Sequence, residues 1–355
     1  MGGRYKNDGG IYIYYGSPSG IVFTGDVGIP HITAPVGSLM ALGVSMASID
    51  YNNDGIDDLV SRGGGPSPGV FFFPGSFKGI SASAVLSPNI SGVVNTTSRL
   101  AVGDFNGDGN SDLLAGNAGY SANSGALYIV YGTSSGILDQ ALPAPQLIGP
   151  AGKMLGFGTP GLAAGDFNGD GYSDIAGCIR QYNNGGPFDG AVDIQYGSAS
   201  GVSNPGLTVV TATIRGKASA NSRFGVTLSV GDINGDGYDD LAAASPLYNA
   251  NAGAVYYFFG SASGITPTVV PSTPNMVGIS GSGTWFGETM RLTDVNADGF
   301  ADLYVSSCYQ NGSASCDGGM FRYMGNANFS ASDTGSVPAM MGKSNSGMRF
   351  GGLGI

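Results

Sequence analysis

Five copies of the pattern Asp-x-Asn-x-Asp-Gly-x-x-Asp run through this 355-residue chain, and their spacing constrains its fold more than any other feature. The copies are Asp50/Asn52/Asp54/Asp58, Asp104/Asn106/Asp108/Asp112, Asp166/Asn168/Asp170/Asp174, Asp232/Asn234/Asp236/Asp240 and Asp294/Asn296/Asp298/Asp302. Their first aspartates lie 54, 62, 66 and 62 residues apart. A local pattern recurring at that period implies a stack of similar units, each too small to bury its own apolar face. Four strands in about 60 residues is the size of a propeller blade.

The chemistry of each copy points to a hard cation. Side-chain oxygens at loop positions 1, 3, 5 and 9 can converge on one Ca²⁺, and the glycine at position 6 permits the bend that turns them inward. Backbone carbonyls at position 7 (Ile56, Asn110, Tyr172, Tyr238 and Phe300) complete the expected donor sets. An EF-hand would need an acidic residue at position 12. This chain has Ser61, Ala115, Gly177, Ala243 and Val305 there. Short apolar runs flank the loops, such as Val226 to Val230 before and Leu241 to Ala244 after. Each loop is therefore expected to join two strands, with about five calcium ions in all. The competing reading is a metal-free Asp/Asn/Gly hairpin.

Composition supports strands over helices. There are 64 Gly and 18 Pro against a single Glu, Glu288, and 14 Lys plus Arg. With 42% hydrophobic residues, including 17 Phe and 18 Tyr, the chain can fill a core. The formal charge of −11 argues against nucleic acid or an anionic membrane as partner. Positions 1, 5 and 9 of the five loops hold 15 of the 25 acidic residues, and five calcium ions would bring the charge to −1.

Other elements recur in phase with the loops. A glycine-bounded strand appears at 9–16, 69–75, 125–132, 190–197, 253–260 and 319–325. It is rich in β-branched and aromatic residues, which suit a pleated sheet. A Phe-Gly pair precedes later loops at Phe157-Gly158, Phe224-Gly225 and Phe286-Gly287, and recurs at Phe350-Gly351. Leu42-Gly43 and Leu100-Ala101 hold that place in the earlier copies.

In this order the chain resembles the FG-GAP repeat family, the β-propeller at the head of integrin α subunits and its bacterial relatives. Phe224-Gly225, the Asp232 to Asp240 loop, Leu241 to Pro246 and Gly253 to Gly260 carry the resemblance, which extends over nearly the whole chain. Asn at position 3 replaces a frequent acid, and Ala244-Ser245-Pro246 is a degenerate form of the family's Gly-Ala-Pro. The resemblance implies an all-β propeller and calcium at the four side chains of each loop. It also implies a ligand surface on the face away from those loops. The bacterial members are the nearer match, since five calcium loops exceed the usual integrin number.

The domain expectation is one propeller over 1–355, with 1–30 and 345–355 as parts of a split or truncated sixth blade. A chain cut from a longer polypeptide is the favoured form, because a blade lacking an inner strand leaves backbone groups unpaired. The start, Met1 to Asp8, lacks the apolar core of a signal peptide. No apolar run approaches the roughly 20 residues that span a bilayer. The calcium loops favour an extracellular, cell-surface or periplasmic location. Cys308 and Cys316 share one Gly/Ser-rich loop and either close it as a disulfide or stay free. Cys178 reads as a small buried thiol.

No catalytic set is legible. The one histidine, His31, lies in a Gly/Pro-flanked segment. The calcium loops use most aspartates, so the chain is not read as an enzyme. Recognition is expected on the loops after the second strands. A tyrosine recurs there at one register: Tyr5, Tyr120, Tyr182, Tyr248 and Tyr309. These rings either stack on a glycan or anchor a protein, or they wedge neighbouring blades together. The expected role is a non-catalytic adhesion or protein-interaction module. The alternatives are a propeller lectin and the accessory propeller of a larger secreted enzyme.

Overall fold

The computed structural model describes residues 10–11, 13, 16–17, 20–21, 32–33, 42–43, 45–63, 69–83, 85–86, 99–137, 145–149, 157–183, 188–202, 207–208, 214–217, 221–266, 268–270, 274–278, 284–307, 319–329 and 340–341. These residues form an all-β propeller of five four-stranded blades. Among the described residues helix is confined to two four-residue turns, Tyr120–Asn123 and Tyr248–Asn251. Each blade is an antiparallel meander from the axis outward. Blade IV runs Leu228–Gly231, Asp240–Ser245, Ala254–Phe258 and Met276–Val277. Its register pairs Val230 with Leu241 and Ala243 with Tyr256. The innermost strands of the other blades are Ser45–Ile49, Leu100–Gly103, Leu162–Gly165 and Met290–Thr293.

Strand periodicity explains the composition of the second strands. Leu241 and Ala243 join the core between blades III and IV, while Ala242 and Ala244 join the core between blades IV and V. Alternate side chains thus serve opposite faces, and both faces are buried. All six residues of Asp240–Ser245 are buried, and small side chains there let neighbouring sheets approach closely. Aromatic residues on the third strands fill the space left. Phe224 stands edge-on to Tyr256 at 5.6 Å, a favoured geometry for paired rings.

The Phe-Gly pairs are contacts between blades. Phe157, Phe224 and Phe286 each bridge to the glycine that opens the third strand of the preceding blade, Gly125, Gly190 and Gly253. A Cβ on Gly253 would stand 2.2 Å from the Phe286 carbonyl oxygen, so only glycine fits there. Outer edges are shared too. Leu207–Thr208, on the way to the fourth strand of blade III, pairs in parallel with Leu147–Ile148 of blade II. Thr268–Val269 does the same for Ile214–Arg215 of blade III. Covering an exposed edge in this way removes a template for aggregation.

At the N-terminal end Gly10–Ile11 pairs with Ile32–Thr33, and Ile11 and Ile32 pack with Leu42 and Phe73 against blade I. The C-terminal 345–355 stretch expected to complete a sixth blade lies outside the described residues, as do His31, Cys308 and Cys316. Cys178 is a free, buried thiol, and burial pushes its pKa up to about 12. Among the described residues no helix is long and apolar enough to cross a membrane.

Candidate metal centres

Each Asp loop joins the first and second strands of its blade, as the flanking apolar runs implied. Within the loop, short-range hydrogen bonds follow directly from the Asp/Asn/Gly spacing. In blade IV the Asp232 carboxylate accepts the N–H groups of Gly235 at 2.6 Å and Gly237 at 2.9 Å. Asn234 Oδ1 accepts the Asp236 N–H at 2.9 Å, and Asn234 Nδ2 donates to Asp236 Oδ2 at 2.9 Å. The Asn-to-Asp bond recurs in all five loops, at 2.8–3.0 Å. Such side-chain-to-backbone turns are what Asp and Asn form when a free N–H lies two residues on.

Position 9 differs from the rest. Asp58, Asp112, Asp174, Asp240 and Asp302 are all buried. One oxygen of each accepts the position 2 N–H: those of Tyr51, Phe105, Phe167, Ile233 and Val295. The other accepts the N–H of the glycine closing the third strand: Gly75, Gly132, Gly197, Gly260 and Gly325. A single carboxylate thereby ties the loop to the third strand. Burial pushes Asp112, Asp174 and Asp240 up to about 7, opposed by these hydrogen bonds and reinforced by the aspartates at positions 1 and 5. Asp58 is raised for the same reasons.

The loops are also chained from blade to blade. The position 8 N–H of one loop donates to the position 1 carbonyl of the loop before it: Ser173 to Asp104 at 2.8 Å, Asp239 to Asp166 at 2.9 Å and Ala301 to Asp232 at 2.7 Å. Asp239 Oδ2 returns the contact by accepting the Asp166 N–H at 2.9 Å. Side chains reinforce the chain. The rings of Tyr172, Tyr238 and Phe300, at position 7, lie over the position 4 glycines Gly107, Gly169 and Gly235 of the preceding loops. The sequence pointed only to a carbonyl at position 7 and did not single out Asp239 or position 4. The signal was present as a coupling: glycine occupies position 4 wherever the next loop carries an aromatic residue at position 7. Blade I has Asn53 at position 4, and blade II has Asn110 at position 7.

Two glycines of one loop should therefore respond differently to alanine. A Cβ on Gly235 (φ +73°) would stand 2.4 Å from Phe300 Cε1, whereas one on Gly237 (φ +87°) would meet nothing within 4 Å. Gly237→Ala is expected to cost about 1–2 kcal/mol, the penalty of a left-handed conformation. Gly235→Ala should cost about 1–3 kcal/mol more, from the added overpacking. Phe300→Ala in the Gly235→Ala background should recover part of that difference, read in a denaturation double-mutant cycle.

Do the loops suit a divalent cation? The donor set does. Each offers three carboxylates and an amide oxygen within nine residues, and their mutual repulsion adds to the raised pKa of the buried aspartates. Near like charges, a carboxyl group holds its proton to higher pH.

Without an ion, the side chains at positions 1, 3, 5 and 9 make contacts within their own loops. Among the described residues no trio of His, Cys, Asp or Glu side chains already stands so as to hold a metal ion. Asn52 pairs with Asp54, Asn106 with Asp108, Asn168 with Asp170, Asn234 with Asp236 and Asn296 with Asp298. Asp54, Asp108, Asp170, Asp236 and Asp298 are exposed, and Oδ1 of each accepts the position 7 N–H, from Ile56, Asn110, Tyr172, Tyr238 and Phe300. Asp50, Asp104, Asp166, Asp232 and Asp294 each accept the N–H of the position 6 glycine at 2.8–2.9 Å. The physical reason is proximity: a carboxylate that begins a tight turn finds free N–H donors two to five residues on, closer than any other positive partner.

The recurring tyrosines pack inward. Tyr120, Tyr182 and Tyr248 are half-buried against the interblade cores, and Tyr120 meets Tyr128 edge-on at 6.1 Å. Their carbonyls accept the N–H of Gly125, Gly190 and Gly253, the glycines that open the third strands. Their common register thus has a structural cause in the described blades. Tyr5 and Tyr309 lie outside the described residues.

Comparison with known proteins places these features in a family context. The FG-GAP repeat family matches residues 96–130 and 224–258. Over 158 residues, 42% of this chain, the sequence is 33% identical to phosphatidylinositol-glycan-specific phospholipase D of Mus musculus, covering 18% of that protein. Over 164 residues, 44% of this chain, it is 35% identical to integrin alpha-PS5 of Drosophila melanogaster, covering 15% of that protein. The matched region thus spans less than a fifth of either relative. Among solved structures, AofleA from Arthrobotrys oligospora superposes with a TM-score of 0.48 at 11% identity, covering 88% of this chain and 79% of that chain.

Proposed function

Because the chain carries FG-GAP repeats on a propeller frame, we propose that it is a non-catalytic, calcium-binding interaction module working outside the cytoplasm, in adhesion or protein recognition. The observation that carries the calcium reading is the buried position 9 carboxylate crowded by two others, repeated from blade to blade. A divalent ion bound by positions 1, 3, 5 and 9 would supply the positive charge that this arrangement lacks. Binding would exchange the loop's own N–H contacts, such as those of Asp54, Asp170 and Asp298, for the ion. Its role is mechanical: it would set the loops that hydrogen-bond one blade to the next. The similarity to integrin alpha chains supports a protein partner on the opposite face.

Metal counting tests this reading directly. Untreated protein should carry about five calcium ions by elemental analysis. Asp236→Ala, at an exposed loop position, should carry one fewer and keep its fold. Protein that binds no calcium in titrations up to millimolar concentration would sink the reading.

The match to phosphatidylinositol-glycan-specific phospholipase D favours a second reading, the accessory propeller of a larger secreted enzyme. In that case the partner surface would face a catalytic domain of the same polypeptide. Sequencing the coding region beyond both ends separates the two readings.

A further inference from the structure

The five innermost strands line an axial cavity of about 1320 Å³. Its charge is opposite to that of the protein. The chain has a net charge of −11 and only 14 Lys plus Arg, yet four arginines line this one space, Arg99, Arg180, Arg223 and Arg291, against one acid, Glu288. Topology places three of them at one mouth. Arg99 and Arg223 precede the first strands of blades II and IV, and Arg180 follows the second strand of blade III. Those chain positions all lie at the ends away from the Asp loops.

Their contacts leave charge to spare. Arg99 Nε donates to the Pro160 carbonyl at 3.1 Å, and the Arg223 guanidinium sits 5.9 Å from the centre of the Phe188 ring. Arg180 is exposed at the rim. Neither Arg99, Arg180 nor Arg223 contacts a carboxylate among the described residues. The buried Arg62 adds a fourth cation near Arg99: burial, and next the charge of Arg99, push its pKa down to about 10. Like charges gathered in a concave, partly desolvated space raise the local concentration of counter-ions. Guanidinium groups pair with planar oxyanions through two parallel N–H donors.

We propose that this mouth is a binding site for an oxyanion, a carboxylate or sulfate group on a ligand that enters the axial cavity from the face opposite the Asp loops. Arg180 and Arg223 contact the anion at the rim, and Arg99 lies deeper. The site does not depend on the calcium reading, since its residues belong to the other end of the strands.

The test is calorimetric titration of the full chain at fixed ionic strength, with calcium present, using sodium sulfate and sodium succinate as separate probes. Saturable binding of one equivalent is expected for at least one of them, and comparing the two arms identifies the favoured oxyanion. Arg180→Gln and Arg223→Gln should each weaken that binding tenfold or more without changing the melting temperature of the free protein by more than a few degrees. Lys78→Gln, on an exposed turn that does not line the cavity, should leave it unchanged. The proposal is overturned if neither anion binds saturably, if both arginine variants retain affinity, or if Lys78→Gln weakens binding as much as they do.

Discussion

Chelating divalent cations at pH 7.5 should lower the melting temperature by on the order of 10–20 °C. A ligand held only by the folded state stabilises it by about 2.7 kcal/mol per site when present at a hundred times its dissociation constant. Five such sites in a chain of this size are expected to produce a shift of that order. The deficit should also depend on pH, with a sign fixed by the buried aspartates. Burial holds Asp112, Asp174 and Asp240 at about 7 in the folded chain, against 3.8 for an ordinary aspartate. Between those values the metal-free folded state binds more protons than the unfolded state, so its stability falls as pH rises from about 4 to about 7. Calcium replaces those protons, and its affinity should climb across the same window. Melting curves with calcium and with chelator should therefore diverge from pH 5 to pH 7.5. Curves that stay superimposed at pH 7.5 would remove calcium from the account.

Asp240→Ala is the single substitution expected to cost most. It strips the acceptor from two backbone N–H groups at once, those of Ile233 at 3.0 Å and Gly260 at 2.9 Å, in a fully buried setting. Leaving each donor unmatched costs about 1–3 kcal/mol, so a loss of roughly 2–6 kcal/mol is expected before any metal is considered. The comparison with Asp236→Ala separates structure from ligation. The hydrogen bonds of Asp236 lie at the surface, open to water. With chelator present, Asp236→Ala should therefore unfold within about 1 kcal/mol of the parent chain. Asp240→Ala should remain strongly destabilised under the same conditions. Equal urea midpoints for the two variants in chelator would show that position 9 acts only through the metal.

The four-stranded blades, their strand order and the position of each Asp loop were legible in the residues because their causes are local, whereas the expected sixth blade falls largely outside the described residues. Asp, Asn and Gly at fixed offsets fold a turn on themselves, and apolar runs of strand length bracket it. The donor set of each loop was equally legible, but not its resting arrangement. Asn106 and Asp108, or Asn296 and Asp298, satisfy one another and the nearest N–H groups before any outside partner is considered. The inward packing of Tyr120, Tyr182 and Tyr248 was half legible. Their constant register announced a shared role, and only the structure showed that all three pack against the interblade cores. The chaining of Tyr172, Tyr238 and Phe300 onto glycines about 65 residues earlier could not be read from one loop alone, since each half of the contact belongs to a different blade.

The sequence by itself determined the repeat and the oxygen-rich loops, since each loop depends on residues within ten positions of one another. Only the tertiary structure decided that the ninth aspartate staples its loop to the third strand. It alone also brought Arg99, Arg180 and Arg223, at unrelated phases of the repeat, to one opening. Winding the blades about an axis makes neighbours of strand ends that lie far apart along the chain, and no local pattern encodes which side chains meet there.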